Sequence, residues 1–158
     1  MKHPHPRTWY VVTDGGHARF LRKQDGYETF DTLRVFAAED IHLHTHELGL
    51  DRPGRTHESV GSTRHAIQPR QDLHEAAKKD FVDDVAKALN EANALNEFDA
   101  LILVAPAHAL SELNHALDAP TKLKIKSQLQ KDLTKVPNAD LAKHFVGMAG
   151  VIPSPAAR

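Results

Sequence analysis

Four arginines, Arg52, Arg55, Arg64 and Arg70, and two histidines, His57 and His65, fall within residues 51–70, DRPGRTHESVGSTRHAIQPR, beside Gly54 and Gly61 and with almost nothing apolar to bury. A guanidinium presents a planar fork of donors matched to phosphate or carboxylate oxygens, and glycine lets a backbone approach such a group closely. Against Asp51 and Glu58 the four arginines leave plus two (4 − 2), on a chain whose formal net charge is −1. Positive charge is concentrated locally, so this segment is expected to touch a partner rather than fill a core. The competing reading is that the arginines pin their own loop to Asp14, Asp51 and the acidic helix that follows.

Asp14 closes a strand-like run, WYVVT, at a place where a nuclease could hold a metal-binding carboxylate, with Glu75 or Asp80 as a second ligand. Two-metal chemistry needs several carboxylates around the ions. The later apolar run ends in VAPAH, without an acidic partner, so a turn-anchoring role is the default for Asp14. His42, His44 and His46 alternate in IHLHTHE and would point the same way from an extended strand, as a transition-metal site requires. They lack a fixed fourth ligand, and His57, His65 and His74 add no zinc-motif spacing, so neither metal nor cofactor is expected. Ser59, Ser62 and Ser111 lie in no Gly-x-Ser-x-Gly elbow, and without cysteine the chain has no thiolate nucleophile or disulfide.

The elements that must position these residues follow from composition and period. With 158 residues, 41% hydrophobic and 26% charged, residues 1–146 are expected to form one α/β domain, and the Gly/Pro/Ala-rich residues 147–158 a fraying tail. No apolar run approaches the roughly 20 residues of a membrane span, and MKHPHPRTWY lacks a secretory signal, which predicts a cytoplasmic protein without membrane contact. A pI near 6.9 argues against a non-specific polyanion binder.

Residues 9–13 are aromatic and β-branched and predict a buried strand, and Asp14, Gly15 and Gly16 a turn. Residues 17–23, with Ala18 and Phe20 inward, and 27–36 complete a three-stranded meander. From Leu73 the apolar period changes: Leu73, Ala77, Phe81, Val85, Leu89 and Ala92 predict an amphipathic helix over 72–97, with seven acids against three lysines. ALILVA, 100–105, reads as a central strand covered on both faces. Leu110, Leu113 and Leu117 mark a second helix ended by Asp118, Ala119 and Pro120. Leu123, Ile125, Leu129 and Leu133 predict a half-buried strand through Lys131, with a helix as rival. Asn138 is expected to cap a last helix carrying Leu141 and Phe145. Lys122, Lys124, Lys126, Lys131, Lys135 and Lys143 against Asp132 and Asp140 make this region plus four (6 − 2), by default an ordinary solvated surface. The order β-β-β-α-β-α-β-α predicts one five-stranded mixed sheet flanked by helices, with ligand sites beyond the strand ends after Thr13 and Ala105.

WYVVTDGGHARF, DRPGRTHESVGSTRHAI, the long helix, LILVAPAHALSEL and the KDLT of 131–134 together resemble the bacterial family named for attachment to host cells. That family is similar to the middle domain of archaeal and eukaryotic peptide-chain release factors, which implies a ribonuclease-H-like fold. In release factors the loop before the long helix carries a Gly-Gly-Gln tripeptide; here that loop has Gly54 and Gly61 but no Gly-Gly-Gln, so the resemblance does not carry peptidyl-tRNA hydrolysis over. The resulting expectation is a non-enzymatic protein that binds RNA or a ribosome-associated partner through residues 51–70. Asp14, Arg19, Asp51, Arg52, Gly54, Arg55, Arg64 and His65 are its candidate ligand residues. The rivals are a metal-dependent hydrolase using Asp14 and histidines, and a protein-interaction adaptor in an attachment pathway.

Overall fold

The computed structural model describes residues 6–23, 29–38 and 70–146. Strand β1 (Thr8–Thr13) pairs antiparallel with β2 (His17–Lys23), which pairs antiparallel with β3 (Phe30–Ala37). On its other side β1 runs parallel to β4 (Ala100–Ala105), and β4 parallel to β5 (Ile125–Gln130). The result is a five-stranded mixed sheet in the order β3-β2-β1-β4-β5, compatible with a ribonuclease-H-like arrangement.

The apolar runs of β1 and β4 are continuous because both faces of the sheet are covered. Trp9, Val11, Leu101, Leu103 and Ala105 join one core with Phe81, Val85, Leu89 and Leu113 from the helices. Tyr10, Val12, Ile102 and Val104 join a second core with Leu133, Leu141 and Phe145 from the C-terminal segment. Trp9 packs its ring 5.0 Å from Phe98, and Tyr10 stacks on Phe145 at 5.3 Å.

Helix α1 (Arg70–Ala94) is 25 residues long, beginning and ending earlier than the period predicts. Asn96 stops it by taking a left-handed φ of 57°. The Asn96 and Glu97 N–H groups then donate to the carbonyls of Asn93 and Ala92, the two bonds of a Schellman closure. Phe81, Val85, Leu89 and Ala92 are buried as expected, but Leu73, at 55% exposure, and Ala77 are not. The first turns of α1 run past the strand ends, where no described side chain covers them.

Helix α2 (Ala107–Ala116) buries Ala109 and Leu113. Asp118 does more than end it: its carboxylate accepts from Thr121 N–H at 2.9 Å and so opens a short helix, α3 (Ala119–Lys122). The turn closed by Lys124 N–H on Thr121 carbonyl delays β5 until Ile125, leaving Leu123 81% exposed, and the strand stops at Gln130 rather than Lys131. Leu133 is buried beyond the strand. β3 is described only from Phe30, three residues later than the pattern from Tyr27 suggests.

Asn138 does not cap the last helix, α4 (Asn138–Leu141), whose N-cap is Pro137. Its side-chain amide instead donates to Phe30 carbonyl (3.2 Å) and Thr32 Oγ1 (2.7 Å), stitching this segment to β3. A 3-10 turn (Ala142–Phe145) completes the described chain and buries Phe145.

Candidate functional site

β1, β4 and β5 run in the same direction, so their carboxyl ends meet at one edge. The turn after β1, the first turn of α2 and Asp132 after β5 stand there, facing the early turns of α1. Between them lies a cleft of roughly 470 Å3. Its floor is Gly15, Gly16, Val82, Pro106 and Ala109, and its rim carries Asp14, Glu75, Glu112 and Asp132, Lys78 and Lys79, His17 and His108. This is where open α/β sheets hold ligands and where the sequence places the site.

Asp14 is a turn anchor. Its Oδ1 accepts from the backbone N–H groups of Gly16 and His17, both at 2.7 Å, and its backbone N–H donates to His17 carbonyl at 2.9 Å. Its Oδ2 lies 3.2 Å from Thr134 Oγ1, which is also 2.6 Å from Asp132 Oδ1. One hydroxyl proton thus stands between two carboxylates and sets both into the cleft wall. Glu75 lines the same cleft, and Asp80 is not among its walls.

Gly15 is dictated by α1. A Cβ there would come 2.8 Å from Lys78 Cγ, so glycine lets the lysine stem lie across the turn. Lys79 is committed to Asp83 at 2.9 Å. Lys78 has no hydrogen-bond partner among the described residues. With histidines neutral, the lining carries four carboxylates against two ammonium groups, minus two. The cleft itself therefore does not concentrate the positive charge that a polyanion needs.

Arg19, on β2, is committed to its own chain. It donates to Asn138 Oδ1 (3.0 Å), Leu133 carbonyl (3.1 Å) and Val136 carbonyl (2.7 Å), while its buried Nε has no partner. All three acceptors are neutral, and burial draws the guanidinium pKa below its ordinary value. Arg19 and Asp14 are thus brought to one tertiary feature, the segment between β5 and α4, which both hold down.

Asp51, Arg52, Gly54, Arg55, Arg64 and His65, like His42, His44 and His46, lie outside the described residues. The described residues on either side of that stretch both reach the cleft. Ala38 N–H donates to Gly16 carbonyl at 2.8 Å, and α1, starting at Arg70, supplies Glu75, Lys78 and Lys79 to the rim. Lys78, Glu112, Asp132 and Thr134 were not singled out from the sequence as site residues. Asp132 carried the one usable signal, an acid just past the half-buried strand predicted through Lys131.

Residues 9–145 match the family described as "Protein required for attachment to host cells". No curated protein matches the chain. Among solved structures, an archaeal translation termination factor is similar with a TM-score of 0.47 and 14% identity, over 88% of this chain. The chain spans 37% of the length of that factor.

Proposed function

The chain belongs to the family of proteins required for attachment to host cells, and we propose that within it this protein is a non-enzymatic RNA-binding domain that contacts phosphates through Arg52, Arg55 and Arg64. The observation that carries the reading is the commitment of the other candidates. Asp14 and Arg19 are used in holding the turn and the segment after β5, so among the candidate residues the phosphate-binding reading rests on the arginines of residues 51–70. The described residues on both sides of the stretch that contains them, Ala38 and the early turns of α1, stand at the cleft. Hydrolysis is the weaker reading because it needs Asp14 as a metal ligand, and its Oδ1 already accepts two backbone N–H groups while its Oδ2 shares the Thr134 hydroxyl with Asp132.

Replacing Arg52, Arg55 and Arg64 together by Gln is the direct test. Binding of a fluorescent RNA should weaken, and the slope of log affinity against log salt should become shallower by about 0.7 to 0.9 per lost phosphate contact. The melting temperature should stay nearly unchanged, since solvated arginines contribute little to stability. A variant that melts several degrees lower while binding RNA as before would make these arginines loop anchors and end the proposal.

A further inference from the structure

We propose that the edge of the sheet along β5, the outer strand among the described residues, is a second RNA-contacting surface, on which Lys126 of the strand and Lys122, Lys131 and Lys135 beside it meet backbone phosphates. The inference rests on the RNA-binding reading above and assigns it a surface among the described residues.

β5 is the outer strand beyond β4, and in its alternating pattern Lys126, Gln128 and Gln130 are the exposed positions. Gln128 is held to α2 by a reciprocal amide pair with Asn114, at 2.7 and 3.3 Å, so the strand is a firm platform. Residues 119–131 contain four lysines and no acid. Lys124 is taken up internally, donating to Asn93 Oδ1 at 2.9 Å and lying over the Phe98 ring. Lys122, Lys126 and Lys135 have no hydrogen-bond or ion-pair partner among the described residues, and Lys131 has only the ring of His144 at 3.5 Å.

The flanking acids keep their charge, but each is oriented by a local partner. Asp118 caps α3, Asp132 is turned onto the N–H and hydroxyl of Thr134, and Asp140 is matched by Lys143 at 4.0 Å. At about 3.3 Å per residue, the five steps from Lys126 to Lys131 set these two lysines roughly 17 Å apart along the strand, the reach of several nucleotides. Its far end arrives at the cleft, because Asp132 lines the rim and Thr134 bonds to Asp14. Charge elsewhere selects the same path. Between residues 73 and 94, α1 carries Glu75, Asp80, Asp83, Asp84 and Glu91 against Lys78, Lys79 and Lys87, minus two (3 − 5), and repels a phosphate backbone.

The test compares single-stranded RNA binding by the intact protein, by Lys122→Gln/Lys126→Gln/Lys131→Gln/Lys135→Gln, and by the same four positions changed to Arg. The Gln variant should lose at least about tenfold in affinity at low salt, with a salt slope shallower by about 2 to 3. The Arg variant, which keeps the charges, should bind normally, which separates charge from folding. Unchanged affinity and slope in the Gln variant, alongside weakened binding when Arg52, Arg55 and Arg64 become Gln, overturns the edge and leaves the first proposal standing. An intact protein that binds no RNA overturns both. Polyglutamate that displaces RNA charge for charge would show a surface for acidic protein segments and overturn the assignment to RNA.

Discussion

Asp14, just after β1, and Arg19, on β2, are polar residues where chemistry was conceivable, and each is held by backbone or neutral side-chain groups of its own chain, the buried Arg19 Nε alone lacking a partner among the described residues. Replacing Asp14 by Ala leaves the Gly16 and His17 N–H groups without their acceptor and releases Thr134. A loss of about 2 to 3 kcal/mol is expected, because hydrogen bonds to a charged acceptor are worth more than neutral ones. Asp14→Asn keeps one carbonyl acceptor for the turn and should recover most of that loss. Urea titration of the two variants measures both; an Asn variant as unstable as the Ala variant would mean that charge, not the turn's acceptor, matters. Arg19 shows why residue type alone misleads. A guanidinium suits phosphate, but it equally suits three carbonyl oxygens converging from one loop, and only the fold brings Leu133, Val136 and Asn138 to it.

Among the elements, α1 separates periodicity from burial most clearly. Leu73, Ala77, Phe81, Val85, Leu89 and Ala92 obey one helical stripe, yet only the last four have a sheet beneath them. Phe81→Ala should therefore lose about 3 to 5 kcal/mol, whereas Leu73→Ala should lose less than about 0.5. Equal effects in chemical denaturation would contradict the helix placement. The same contrast explains β5. Leu123 shares the odd-numbered spacing of Ile125, Leu129 and Leu133, but the α3 turn swings it into solvent, and Leu133 reaches the second core only because the chain bends after the strand. Period shows which face of an element is apolar. It does not show where the neighbouring element ends.

For the whole molecule, the described N-terminal end is tied to β4 by Arg7, whose backbone N–H and guanidinium donate to Asp99 at 2.8 to 3.1 Å across 92 residues of sequence. Those hydrogen bonds hold the Asp99 carboxyl down to about 2, below its ordinary value. A depressed folded-state pKa contributes stability above the unfolded value near 4, and that contribution is lost as pH falls through about 2. The effect is modest because the pair is partly exposed. Asp99→Asn should lower the melting temperature slightly at pH 6, and the difference should shrink between about pH 4 and pH 2; a difference constant across that range would remove Asp99 from the acid response. By itself the sequence determined the strands around 9–13, 17–23 and 100–105, the amphipathic long helix and the mixed sheet, because alternation, apolar runs and Gly/Asp turns are local properties. Tertiary structure alone decided that Asp14 shares a hydroxyl with Asp132, that Asn138 stitches to β3 rather than capping, that Gly15 makes room for Lys78, and that β5 with Lys126 is the outer strand of the described sheet. Each of those is a meeting of groups far apart in the chain, set by strand order and by where each element stops, which no spacing along the sequence encodes.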